Sequence, residues 1–527
     1  MQTTHRRFDV TRRSLPREIL EAAERIAEYA RREGLDFYPT IFEMLSPDEM
    51  AQVAAYGGFP QRYPHWRFGM EYERLRKQHR YGLGRIYEMV INNNPCYAYL
   101  LNDNMMVDHK TVIAHVFAHC DFFKNNIWFS RTDRRMIDTM ANHATRIRRY
   151  MDRYGVERVE RLIDTFLSLE NLIDPHSMFM KRSKRKPPAE KAKSDDAPVA
   201  VRFPAKTYMD RYINPPDRLA LEREKEEREK RSSKERFPDQ PTRDVLLFLL
   251  QHAPLEDWEA DVLSIIREEA YYFAPQGMTK IMNEGWASYW HSTIMTRYVL
   301  GADEVVDYCE HHAGTLATSP GRLNPYKLGI ELFRDIEHRW NTGRYGPEYE
   351  ACDDMARRRD WGKDKTPPGP VVGRGSPGRE KIFEVRRLYN DVMFLDEFLT
   401  PEFMKEQKLY HYRMDPATGR IVVVNRDFDK IKNQLLFMLT NHAQPYIFVM
   451  DGNYRNRGEL YLAHRHTGAD LDIKYAQETL KQIHKVWKRP VHLSARIDDE
   501  PILFTFDGEQ SSQQHIDEHV DPPAHQF

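Results

Sequence analysis

The sequence predicts a mainly α-helical core followed by a smaller C-terminal α+β domain. Apolar residues recur at helical spacing from about residue 15 to 175 and again from Asp244 to about 360. After residue 380, short β-branched and aromatic runs bounded by turn residues take over. A charged, Pro-containing stretch divides the helical part in two. The expected organisation is a helical first half over 1–180, a charged insertion or linker over 181–240, and a helical second half over 241–365. A Pro/Gly loop over 366–380, an α+β domain over 381–509 and a disordered tail over 510–527 complete it.

In chain order, Pro16–Ala30 has an apolar stripe of 3.6-residue period with Pro at its start, which predicts a helix. Ser46-Pro47-Asp48-Glu49 reads as an N-cap followed by Pro and acids. Tyr63-Pro64-His65-Trp66 reads as a rigid aromatic turn, and Asn92-Asn93-Asn94-Pro95 as a break. Thr111–Phe123 is apolar, lacks Gly and Pro, and predicts a buried helix. Lys181–Pro188 opens the charged stretch; Glu222–Arg236 is almost wholly charged and suits a solvated helix or linker. Trp258–Phe273 predicts a helix that Pro275-Gln276-Gly277 separates from the next one, around Glu284. Gly373-Arg374-Gly375-Ser376-Pro377-Gly378 matches the dinucleotide-binding fingerprint formally, but no strand precedes it and Pro377 spoils the turn. Ile421–Val424, Tyr446–Met450, Glu459–Leu462 and Ile502–Phe506 predict strands. Asp451-Gly452-Asn453 and the residues after it predict a hairpin, and Ile473–Trp487 a helix.

Composition narrows the function classes. A formal net charge of −1 argues against general electrostatic binding to nucleic acid or anionic lipid. No apolar run approaches the ~18 residues needed to cross a bilayer. Met1–Arg7 has basic residues with no apolar stretch behind them, so no secretory signal is expected. Cys96, Cys120, Cys309 and Cys352 are far apart and form no C-x-x-C pair, which points to a reduced, cytosolic protein.

Two segments carry candidate chemistry. His115-Val116-Phe117-Ala118-His119 places two imidazoles at i and i+4, the ligand spacing of the H-E-x-x-H zinc motif, with Val116 where that motif has its general base. Asn283-Glu284-Gly285-Trp286-Ala287 supplies a carboxylate, and His291 lies close to two helical turns beyond Glu284, on the same face. A two-His, one-carboxylate site needs a third ligand from elsewhere, and Glu284 is the natural one. The expected site is therefore zincin-like, on two helices, with His115, His119 and Glu284 holding Zn²⁺ or another divalent ion. Metal-binding histidines usually donate their second nitrogen to a carboxylate or carbonyl, for which Asp121 and Asp108 are near in sequence. Buried, hydrogen-bonded core histidines and a paired core carboxylate would satisfy the same patterns.

The chain resembles the SpoVR family, the stage V sporulation protein R-like proteins. Gly34–Pro39, Tyr63–Gly69, Ile86–Asn92, Ala114–Asn126, Pro275–Ala287 and Asn324–Gly329 carry the resemblance. It implies a cytoplasmic bacterial protein linked, in spore formers, to assembly of the spore cortex, a peptidoglycan layer. In bacteria that do not sporulate it implies the company of a AAA+-type serine kinase and a von Willebrand-like protein. Glu284-Gly285-Trp286-Ala287 also resembles the helix supplying the third zinc ligand in gluzincin-type metallopeptidases, which implies the same ligands.

Two functions follow as expectations. One is a metal-dependent hydrolase acting on a peptide or amide bond, with a cell-wall precursor as the substrate the family context suggests. Its base would be Asp121, His291 or Glu268. The other is a non-catalytic scaffold or regulator keeping a degenerate zincin-like core, which Val116 favours. One of His311 and His312 could face the site, and Tyr326 could donate to a transition state, although packing against the core explains Tyr326 as well. His515 and His519 are expected in a tail that cannot bury them, and His464 and His466 are expected exposed at a strand end.

Overall fold

The computed structural model describes residues 15–80, 88–179, 209, 215, 237–344, 346–362, 375–416 and 418–522. Most of the insertion expected over 181–240 and most of the loop over 366–380 lie outside the described residues. The chain forms two compact units, Met1–Val159 with Tyr271–Ala443 and Glu160–Ala270 with Gln444–Phe527.

The first unit is built around the helix Met106–Asn125. Nearly every side chain from Val107 to Phe123 is buried, so the helix has no solvent face and lies inside the core. It packs against Arg17–Arg32 and against Lys280–Ile294, which in turn packs on Pro325–Thr342. Gly285 and Gly329 meet where those last two helices cross. A Cβ on Gly285 would lie 2.4 Å from the Gly329 backbone. Lys280–Ile294 starts at Thr279, whose φ of −130° breaks the helical path. Its first N–H groups are capped from far along the chain, because Asp391 accepts from Ile281 N at 2.8 Å and Met282 N at 2.9 Å. Burial pushes the Asp391 carboxyl up to about 7 against these bonds.

Three expectations for this unit change. Thr40–Leu45 (β1), Glu88–Ile91 (β2) and Cys96–Leu101 (β3) form a sheet of order β1-β3-β2 in a region expected to be mainly helical. β1 runs parallel to β3 and β2 antiparallel to it, so Asn92–Pro95 is the turn between β2 and β3. The helix Asp257–Met278 runs through Pro275 and stops at Thr279 instead, since a Pro one turn from a helix end removes few bonds. Pro377 and Gly378 open the helix Pro377–Leu388, with Ser376 Oγ accepting from Arg379 N at 3.2 Å.

The predicted strand at Ile421–Val424 is β5 (Ile421–Asn425), paired with β4 (His411–Met414) in a hairpin of the first unit. The sheet of the second unit has order β10-β9-β8-β7-β6. Its strands are β6 (Tyr446–Tyr454), β7 (Glu459–Arg465), β8 (Val491–Ile497), β9 (Glu500–Phe506) and β10 (Ser511–His515). β7 and β8 are parallel, and the predicted helix Ile473–Trp487 makes the crossover between them. The expected hairpin is β6–β7, but β6 continues through Asp451–Asn453 with register shifts and turns at 455–458. Ser511–His515, expected in a disordered tail, pairs with β9 because its backbone completes the sheet edge.

The Gly285–Gly329 contact leaves no room for a methyl group. Chemical denaturation is expected to show Gly285→Ala losing about 3 kcal/mol. Gly314→Ala, in a helix where a Cβ would meet nothing within 4 Å, is expected to gain up to about 1 kcal/mol.

Candidate metal centre

His115 and His119 project from one face of the helix Met106–Asn125 toward Glu284 on the helix Lys280–Ile294. Glu284 Oε2 lies 3.6 Å from His115 Nε2 and 3.5 Å from His119 Nε2. One ligand atom from each residue lies within 4.8 Å of the others, and all three side chains are buried. A tetrahedral ion with bonds of about 2.0–2.1 Å holds its ligands roughly 3.4 Å apart. The spacings on either side of Glu284 fit that requirement. The residues predicted as ligands thus converge.

The outer nitrogens fit as well. For Nε2 of each histidine to bind a metal, Nδ1 must carry the proton and needs an acceptor. His119 Nδ1 lies 2.8 Å from Asn283 Oδ1, and His115 Nδ1 lies 2.8 Å from His291 Nδ1. His291 Nε2 continues to His312 Nδ1 at 3.0 Å. With Nε2 of His115 as a lone pair, each imidazole in this row donates to the next. Burial, followed by the neighbouring His115 and His312, holds His291 well below the ordinary histidine range, so it is neutral. Tyr326 stacks on His115 with ring centroids 6.2 Å apart.

The carboxylate is kept charged by its surroundings. Burial opposes ionisation of Glu284, but His115, His119 and the Lys280 ammonium, which hydrogen-bonds Oε1, hold it well below the usual carboxylate range. Lys280 is more than half exposed, so the cluster is capped by a side chain that reaches solvent.

The structure separates the three candidate bases. His291 is beside the cluster, with both ring nitrogens engaged by other histidines. Asp121 is fully buried and directed elsewhere. It accepts from Trp286 Nε1 at 2.9 Å and Asp36 N at 2.8 Å, with Arg386 at 3.3 Å. Burial pushes its carboxyl up to about 6. Glu268 is exposed and belongs to the second unit. Asp108 bonds His311, so neither aspartate orients a ligand histidine; Asn283 and His291 do. Asn283 was not read from the sequence, although its place beside Glu284 was the available signal. Val116, in the general-base position, is fully buried.

The other histidines are placed as follows. His464 is buried, because β7 is an inner strand of its sheet, and its ring lies 6.1 Å from that of His466. His515 is exposed on β10 near Glu500, whereas His519 is buried between Ser494 and Asp521. Cys120 is buried and receives a weak bond from Thr40 Oγ1 at 3.6 Å.

A family model described as SpoVR like protein matches residues 14–444, and one described as SpoVR-like C-terminal domain matches 445–498. The chain belongs to the SpoVR family, whose name carries the link to sporulation. It is 29% identical over 511 residues to the uncharacterized protein YcgB of Escherichia coli (strain K12), covering 91% of each chain. No solved structure matches. Among the described residues no helix is long and apolar enough to cross a membrane.

Asp121 ties together the helix that carries the histidines, Trp286 beside Glu284, and Arg386. Asp121→Ala would leave Arg386 buried without this carboxylate, and denaturant unfolding is expected to show a loss of about 3–5 kcal/mol.

Proposed function

We propose that the chain binds one divalent ion at His115, His119 and Glu284, and that this centre has hydrolase-like chemistry on a peptide or amide bond. The observation that carries the reading is the convergence of three buried donors, 3.5 and 3.6 Å apart across Glu284, with an acceptor behind each imidazole. Two imidazoles and one carboxylate favour Zn²⁺. Such an ion, when bound, lowers the pKa of a coordinated water to about 7 and polarises a carbonyl. The protein's part is to hold both imidazoles in one tautomer, keep Glu284 ionised and exclude bulk water. Tyr326, whose ring stacks on His115, would be the phenol to donate to an oxyanion at this site. His291 is a positioning residue here: it accepts from His115 Nδ1 and donates to His312, which fixes the His115 tautomer. The family context adds a cytoplasmic setting and a cell-wall precursor as substrate.

A second reading has its own observation. Val116 is fully buried where a catalytic carboxylate would stand. On that reading the metal centre is structural and the protein is a scaffold or regulator. The AAA+-type serine kinase and the von Willebrand-like protein that the family resemblance brings with it would be its partners.

Elemental analysis of the purified full chain is expected to find about one equivalent of zinc. His115→Ala and Glu284→Ala are each expected to lose it, while Tyr326→Phe keeps it. A folded, metal-free wild type purified without chelator overturns the metal centre. X-ray absorption then separates the two readings: a light-atom ligand beyond the three residues supports hydrolysis, and a closed sphere of protein donors supports the scaffold.

A further inference from the structure

The first unit contains a cavity of about 510 Å³ formed by the segments 318–328 and 407–412 and by the helix Phe428–Leu439. Its floor is apolar, with Leu323, Leu409, Leu435 and Met438. Arg322, Lys327, Lys408 and His411 stand in its wall, and no Asp or Glu among the described residues lines it. Lys327 is paired with Glu331 at 3.0 Å along its own helix. Arg322 and Lys408 form no ion pair among the described residues. Two uncompensated cations over an apolar floor favour an occupant that is both acidic and apolar.

The size of the surface says what kind of occupant. One wall of the cavity, Tyr410–Tyr412, leads into β4, and β4 pairs only with β5 among the described residues. Ile421, Val422, Val423 and Val424 are all exposed, so β5 is apolar on both faces. Met414, at the other side of the hairpin, is 64% exposed, and Met438 at the cavity is 52% exposed. The five residues of β5 alone span about 17 Å, too long for a small ligand seated in the cavity. Arg413, Arg420 and Arg426 flank the apolar run together with Asp415, Asp427 and Asp429, so the net positive charge sits at the cavity wall and the ribbon supplies the apolar surface. A soluble chain rarely leaves such a ribbon uncovered, and an unpaired strand edge is a template for an extended segment.

We propose that the cavity and the β4–β5 ribbon form one docking surface for an extended acidic segment of a partner polypeptide. Apolar side chains of that segment enter the cavity and cover β5, and its carboxylates meet Arg322 and Lys408. The surface is independent of the His115–His119–Glu284 cluster and requires no metal.

The probe is an array of peptides of about ten residues, graded in Glu content and in Leu and Val content, read for binding of the full chain. Binding is expected to rise with both contents together and to weaken with salt. Arg322→Glu with Lys408→Glu is expected to weaken the best peptide by at least about tenfold, and Val422→Asp on the exposed ribbon by a similar factor. Circular dichroism and zinc content are expected to be unchanged in these variants. A flat response across the array, equal binding by the charge-reversed variant, or stronger binding to single-stranded RNA or to phosphatidylserine vesicles than to any peptide would overturn the proposal.

Discussion

The core of the first unit depends on keeping one carboxylate ionised out of water. Glu284 is 5% exposed, and a lone charge at that depth would cost several kcal/mol. Everything around it supplies compensation: two imidazole edges, one ammonium and the Asn283 and His291 groups that set the imidazole tautomers. The helix crossing at Gly285 and Gly329 is part of the same constraint. Glu284 is next to Gly285, so the depth of that crossing sets where the carboxylate stands relative to the histidines. Asp391 fixes the start of the same helix and so the rotation at which Glu284 faces inward.

A second buried carboxylate, Asp121, shows why position along a sequence is a poor guide to chemistry. It lies two residues beyond His119, and two residues on a helix turn a side chain about 200° away. Asp121 therefore faces Trp286, Asp36 and Arg386, while His119 faces Glu284. One helix thus carries two buried networks on opposite faces. Trp286 joins them, since it follows Glu284 on its own helix and donates to Asp121. The two networks align the same pair of helices from both sides.

The convergence of His115, His119 and Glu284 was legible in the sequence because i,i+4 spacing is a local rule and because Glu284 sits in a distinctive aromatic context. Its supports were less so. His291 shares a face with Glu284 and could be placed near the site, but its partner His312 lies in another helix, where no spacing rule reaches. The three strands before residue 106 were hidden for a related reason. β3 is buried on nearly every residue, so it shows no alternation, and a short apolar run without alternation cannot be told from a helix turn. Pro275 misled in the opposite direction, because local chemistry predicted a break that the helix tolerates within its last turn. Sheet pairing buries His464 and orders Ser511–His515, a long-range effect that a polar local sequence conceals.

Val116 is the point at which geometry and chemistry part. On the histidine helix, the residue after the first ligand points neither at Glu284 nor at solvent but into the packed core, with no exposed surface. A carboxylate there would need its own compensation, and the charges nearest the cluster are already used by Glu284. The helix that presents the imidazoles therefore cannot also present a base at this position without rebuilding the core. Any base must come from outside that helix, and the hydrogen-bonded row from His115 through His291 to the half-buried His312 is the polar path leading away from the cluster. Those hydrogen bonds fix the tautomer of His115, leaving its Nε2 lone pair facing Glu284. What an ion held there would do thus rests on whether a fourth coordination position is open, not on the three side chains that the two helices bring together.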